Sequence, residues 1–366
     1  MRWTSPGSGR VRVAAAAAAV LVVTTLGIVW WLGGGSSGAA AACAPSKLPA
    51  NDTADTLVVE GDAWSGYAPF RDPTLLEGTG YELVYVEQVC QDLRAADLSA
   101  GRADIAVTTL DQYLLHHPDG TVVGIIDQSR GADALALGTA KHKSLDSVDD
   151  IPTLVAQYEA KGSKPVLAYT GNSPSEMLLN ELANATDELR LSDFELVSVD
   201  QSATAYEMLM KDEAQLAVIW EPDTSAARAA GQTITLSSAD VPNSIVDVIV
   251  ASDRLIDRDP AAVQAVISAF YARMDDYLAH PSTLRRFYAD DGGLEQADAA
   301  SLIDGIKLYG SKEADEFLNE DVFPLDSPQM AQSVDDIGSL LALTHPGLPL
   351  DEARVDGRYV QGTVNP

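Results

Sequence analysis

Hydrophobic and polar positions divide the chain into three stretches of different period. Residues 13–32 form an uninterrupted, uncharged apolar run. At a helical rise of about 1.5 Å per residue, a run of this length spans the hydrocarbon core of a bilayer. From residue 57 onward, short apolar runs rich in β-branched residues alternate with longer amphipathic stretches. Their period and length predict strands at 57–60, 81–86, 104–108, 122–126, 134–137, 166–169, 194–199, 216–220, 233–236 and 246–250, with helices such as 173–185 and 202–211 between them. Such alternation predicts α/β layers with mostly parallel sheets. After residue 250 the pattern changes: 259–278, 283–288, 294–309 and 327–343 all read as helices with no strand between them. An α/β body that ends in a helical tail predicts that the last helices wrap back on a completed lobe.

Arg2, Arg10 and Arg12 precede the apolar run, and Trp30 and Trp31 close it. Basic residues on the leading side and indoles at the interface orient the segment so that everything after it is exported. The run Ala40-Ala41-Ala42-Cys43 is similar to a bacterial lipoprotein signal, with Cys43 as the lipidation candidate. Ala40 stands where leucine is usual, and a Gly/Ser stretch from 33 to 38 intervenes. A lipid anchor, an uncleaved helix and removal at the Ala-rich site all place the rest of the chain outside. Gly33, Gly35 and Gly38 satisfy the spacing of a dinucleotide fingerprint, but they follow a span and open no helix, so they read as linker.

Composition narrows the function. The chain of 366 residues is 46% hydrophobic and 21% charged, which is ordinary for a globular protein and long enough for two domains. A formal net charge of −30, from Asp+Glu 54 against Lys+Arg 24, excludes nucleic acid and anionic lipid as partners of the folded part. Two cysteines and five scattered histidines offer neither a disulfide scaffold nor a metal-ligand spacing. Cys90 reads as apolar filler, with pairing to Cys43 as the alternative.

Four segments then carry a resemblance. The loop Trp64-Ser65-Gly66-Tyr67-Ala68-Pro69 follows the first strand, and 97–107 steps from helix to strand through Gly101 and Asp104. Residues 126–134 form a crossover, and Trp220-Glu221-Pro222 ends a later strand. In this order they resemble the nitrate/sulfonate/taurine-type solute-binding proteins of ABC importers, whose wider family includes binders of thiamine precursors. The resemblance implies an α/β, two-lobed, periplasmic-binding-protein-like fold of type II. Residues 1–55 would be signal or membrane anchor plus linker, 56–137 the first part of lobe one, 138–245 lobe two, and 246–366 the return to lobe one with its helical tail. It also implies a non-enzymatic, cofactor-free monomer that captures a small organic anion or zwitterion outside the cell. Its partners would be ABC permease and ATPase subunits. A sensor or surface lipoprotein without an importer, and a periplasmic enzyme on a related fold, are the other classes this pattern allows.

Ligands of open α/β sheets sit at the carboxyl ends of strands, which selects the candidate contacts. Trp64 and Tyr67 offer a stacking face or cation cage, or else plug the loop. Asp62 precedes them, and with Glu221 it favours an amine. Thr108 and Thr109 end a strand just before a helix, as an anion seat or an N-cap. Thr170, Asn172 and Ser173 repeat this arrangement before Pro174. Gly171-x-Ser173 is no nucleophile elbow, since Pro174 lacks the N–H an oxyanion hole needs. Gln128 and Arg130 lie at the crossover, where Arg130 either clamps an acid or pairs with Asp127 or Asp133. Trp220 and Glu221 close the set as ligand contacts or hinge packing.

Overall fold

Each of the ten runs becomes a strand in the computed structural model, which describes residues 45, 47, 55–139, 145–185, 189–319, 328–345 and 354–364. The apolar run at 13–32, the linker and Cys43 lie outside the described residues. Among the described residues no helix is long and apolar enough to cross a membrane.

The strands are β1 (Thr56–Gly61), β2 (Glu82–Glu87), β3 (Ile105–Thr109), β4 (Gly120–Ser129), β5 (Asp133–Leu137), β6 (Val166–Thr170), β7 (Glu195–Val199), β8 (Leu216–Trp220), β9 (Thr233–Ser237), β10 (Val246–Ser252) and β11 (Ile306–Leu308). They form two sheets, one of six strands in the order β11-β4-β10-β3-β1-β2 and one of five in the order β7-β6-β8-β5-β9. The interior strands β3, β5 and β10 are buried along their whole length, so they do not alternate and are mainly apolar, interrupted by Asp133 at the start of β5 and Asp247 within β10.

Three details depart from expectation. The sheets are mixed rather than mostly parallel: β1 pairs parallel with β2 and β3, while β10 runs antiparallel to β3 and β4. The second sheet mixes likewise: β6 pairs parallel with β7 and β8, while β5, by which the chain enters this sheet, runs antiparallel to both β8 and β9. Strand β5, expected at the end of the first lobe, is a member of the five-stranded sheet. The third departure is β11, inside the stretch expected as helix 294–309. The helix Gln296–Asp304 ends at Gly305, whose carbonyl accepts from Arg130 N (2.7 Å) and Ala132 N (3.1 Å). A side chain at Gly305 would press on the Ala132 backbone at 3.2–3.3 Å, so glycine permits the approach that turns the chain into a strand beside β4.

Two segments join the sheets, 130–132 after β4 and 238–245 before β10. They run together, tied by buried Ser129 and Ser238, whose hydroxyls lie 2.7 Å apart. Ser238 Oγ also accepts from Gly131 N (2.7 Å), and Ser238 N donates to Asp133 O (2.9 Å).

The helical tail covers the six-stranded sheet. Phe270, on the helix Pro260–Ala279, stacks on Phe70 with ring centroids 5.0 Å apart. The helix Pro328–Thr344 lies against Leu110–His116 beside the first sheet and also against Ser175–Ala185 of the second. Tyr271 is fully buried, and its hydroxyl accepts from Ile125 N (2.9 Å) and donates to Ile125 O (2.8 Å), beside the irregular register of β4 on β10. Tyr271→Phe strands both backbone groups. Its expected cost is about 1–3 kcal/mol, read as a lowered denaturant midpoint; an unchanged midpoint contradicts the role given to that hydroxyl.

Candidate functional site

The carboxyl ends of β1, β2 and β3 from one sheet face those of β6 and β8 from the other. A small cleft, partly open to solvent and with about 30 Å³ of room for the centres of water-sized molecules, lies between them. Asp62, Trp64 and Tyr67 reach it from the loop after β1, Val89 and Gln91 from beyond β2, and Thr109 from the end of β3. Ser173 and Pro174 follow β6, and Trp220 ends β8. Asp133 comes from the start of β5, Ile245 from the end of the second crossover and Asp247 from β10.

The loop after β1 is held by buried polar contacts. Arg94 is almost fully buried; its guanidinium donates to Asp62 Oδ2 (2.9 Å), to Gln88 O beyond β2 (2.5 and 3.1 Å) and to Val107 O within β3 (2.5 Å). One side chain thus fastens three neighbouring strand ends, and Asp62 is neutralised from behind. Asp62 Oδ1 accepts from Trp64 N (2.9 Å), which starts the turn carrying both aromatics.

Those aromatics each donate to an aspartate. Trp64 Nε1 donates to Asp127 Oδ2 (3.3 Å), and Tyr67 OH donates to Asp247 Oδ1. Asp127 and Asp247 are directly opposed residues of the antiparallel β4–β10 pair, 0% and 2% exposed, so their carboxyls share one face. Burial raises the pKa of both above the carboxylate range, and for Asp247 the neighbouring Asp127 adds to the rise. Asp133 is pushed up to about 7, by burial first and then by Asp127, Asp111 and Glu221. Burial likewise holds the Tyr67 phenol well above its ordinary value, so it serves as a neutral donor. Gly66 is required here, because a β-carbon would run into Asp127 Oδ2 and would sit 2.6 Å from Trp64 Nε1.

Six of the twelve ligand-contact candidates line the cavity: Asp62, Trp64, Tyr67, Thr109, Ser173 and Trp220 come together there. Thr109 occupies the cap position of Leu110–His116 but makes no side-chain cap bond. The other six candidates lie off the cavity lining. Thr108 turns its hydroxyl to Gln91 Oε1 (2.7 Å). Gln128 is buried and donates to Asn243 (3.4 Å), while exposed Arg130 donates to Gln128 (3.2 Å) rather than pairing with Asp127 or Asp133. Thr170 is buried with its carbonyl accepting from Ser173 Oγ (2.8 Å). Asn172 is exposed in a left-handed conformation at φ 50°. Glu221 is 1% exposed and accepts from Ser225 N and Oγ (3.1 and 3.0 Å), with Arg228 at 3.8 Å. Cys90, expected as apolar filler, is disulfide-bonded.

Sequence reasoning missed Asp247 as a contact and took Asp127 and Asp133 only as partners for Arg130. The available signal was an acid inside an otherwise apolar strand, in Ile126-Asp127-Gln128 and in Val246-Asp247-Val248.

The fold is shared with solved structures at low identity. The periplasmic aliphatic sulphonate binding protein SsuA from Escherichia coli is 17% identical, with TM-score 0.60 over 84% of this chain and 97% of that one. The periplasmic nitrate-binding protein NrtA from Synechocystis PCC 6803 is 14% identical, with TM-score 0.56 over 85% and 92%. The desulfurization enzyme DSZB is 12% identical, with TM-score 0.56 over 85% and 99%. No curated protein matches the sequence. The family model described as NMT1/THI5 like matches residues 76–284, more than half of the length, from β2 through both crossovers into the helical tail. By that match the chain belongs to the NMT1/THI5-like family.

Proposed function

We propose that this protein is the solute-binding component of an ABC importer, working outside the cytoplasmic membrane and closing two lobes over one small molecule. The six-stranded sheet with the helical tail would be one lobe and the five-stranded sheet the other, with 130–132 and 238–245 as the crossovers. The observation that carries this reading is the cavity, which lies at the carboxyl ends of strands from both sheets and is lined where the chain passes between them, by Asp133 at the start of β5 and by Ile245 just before β10. A solute touching Trp64 and Tyr67 on one side and Ser173 and Trp220 on the other favours the closed arrangement, because only there does it meet both sets. The shared fold with sulphonate- and nitrate-binding proteins supports the same role. The disulfide at Cys90 suits an oxidising exterior, as does the arginine-led apolar run at 13–32. A permease and an ATPase would be the partners of a monomeric binding protein anchored at the membrane.

A hydrolytic reading finds less support, although DSZB is an enzyme on this fold. The Ser173 hydroxyl donates to Thr170 O and accepts from Ser175 N (3.2 Å), and Pro174 follows it without an N–H.

Two measurements test the arrangement. Thermal unfolding of the full-length chain in mild detergent, screened against sulfonates, amino acids, nitrate and thiamine precursors, should reveal a stabilising solute. At a hundredfold its Kd such a solute adds about 2.7 kcal/mol. Trp64→Ala should abolish that shift while the ligand-free protein still unfolds cooperatively; a shift that survives in the variant places the solute elsewhere. The second concerns the empty cleft. Folded Asp133 keeps its proton to about pH 7, whereas the unfolded chain releases it near the usual 3.8. Between those values the folded state binds the extra proton, so this group weakens folding as pH rises through the window and has no further effect above it. The stability advantage of Asp133→Asn should therefore grow from about pH 4 to about pH 7 and then level off. A flat difference across that window means that Asp133 ionises normally.

A further inference from the structure

Three carboxyl groups reach the cavity and no lysine, arginine or histidine does. Only Asp62 among them has a basic partner, Arg94. Asp133 and Asp247, with Asp127 just behind Trp64, are at most 4% exposed, and none of them takes part in an ion pair among the described residues. Asp127 and Asp247 moreover stand directly across from each other on adjacent strands, an arrangement that like charges disfavour. Trp64 and Tyr67 each donate to one of them, and the two carboxyls also hydrogen-bond to each other, which they can do only while one of them holds a proton. A buried carboxylate costs several kcal/mol unless a cation or several donors meet it. Among the described residues no cation pairs with these three, so in the empty cleft burial keeps them protonated and only an entering positive charge would favour their ionised form. The same cavity is walled by Trp64, Tyr67 and Trp220, rings whose faces attract a positive charge with an organic body. A bare metal ion fits less well, because the described residues hold no group of three or more His, Cys, Asp or Glu arranged to ligate one.

We propose that the captured solute is an organic cation, an amine or quaternary ammonium, whose charge is met by Asp133 and Asp247 while its carbon skeleton lies among Trp64, Tyr67 and Trp220. This rests on the capture role above and names its ligand class. It reverses the anion or zwitterion expected from the sequence, since the arginine that would have met an acid, Arg130, is outside the cavity lining. Asp127 has a positioning role: it takes the Trp64 indole hydrogen bond and so sets where that ring stands.

The test uses the full-length chain in mild detergent, at constant ionic strength. Thermal shift and tryptophan fluorescence are followed with choline, tetramethylammonium and benzylammonium, with ethanesulfonate and nitrate as anions, and with zinc and calcium as metal arms. The organic cations should stabilise the protein and perturb its fluorescence, and the anions and metals should do neither. Asp247→Asn and Asp133→Asn should each weaken cation binding about tenfold or more, as loss of a buried charge partner does. The same variants should leave the ligand-free protein as stable as the parent or more so, an opposition that a purely structural aspartate would not produce. Stabilisation by ethanesulfonate or nitrate with the cations inert overturns the ligand class and leaves capture intact. Stabilisation by a metal alone, or unchanged cation affinity in both variants, also overturns it. If no solute of any class shifts unfolding, the capture role itself falls.

Discussion

Two aspartates placed opposite each other by the antiparallel pairing of β4 and β10 constrain everything around them. The pairing cannot slip by one residue without turning the buried faces of both strands outward, so the carboxyls stay where the core puts them. Their burial needs donors, and the loop after β1 supplies two from residues three apart, Trp64 and Tyr67. That loop in turn keeps its shape because Arg94 binds Asp62 and the backbone beyond β2 and within β3. Register, loop and buried arginine form one chain of dependence that ends in the aromatic wall of the cavity. A requirement of the core has thereby become the chemistry of the cleft.

The strands of this fold were legible in the sequence because interior strands of a covered sheet are mainly apolar runs; β8 is a continuous one, and β10 is one apart from Asp247. β11 was not, because Ile306-Lys307-Leu308 continues the periodicity of the helix before it. Only the contact of Gly305 with the first crossover ends that helix, and this contact is between residues far apart in the chain. The mixed character of the sheets was also hidden. Strand period carries no direction, so the reversal at β5 and β10 follows from how many times the chain changes sheets.

Of the site, the aromatic loop and the turn at Ser173 were readable, since both combine turn-forming residues with a preceding strand. Arg130, Gln128 and Glu221 lie off the cavity lining, which the sequence did not reveal. Alternation along a strand sends neighbours to opposite faces, and nothing local says which face meets the cavity. Asp127 faces the aromatic loop while Gln128, the next residue, bonds Asn243. Glu221 is similar: its neighbour Trp220 lines the cavity, and Glu221 turns back to the start of its own helix at Ser225. The carboxyl pair escaped notice because its meaning is in the pairing of two segments 120 positions apart.

The helix Pro328–Thr344 touches helices belonging to both sheets. Two crossovers alone would leave a pivot free to swing wide. A rod resting on both sides of such a pivot would act as a stay, so that the halves of the proposed binding protein could part only as far as its side-chain contacts slide or release. If the protein captures a solute as proposed, entry and exit would depend on how readily that third support gives way, and changes far from the cavity, along this one helix, would acquire leverage over how long a guest remains inside.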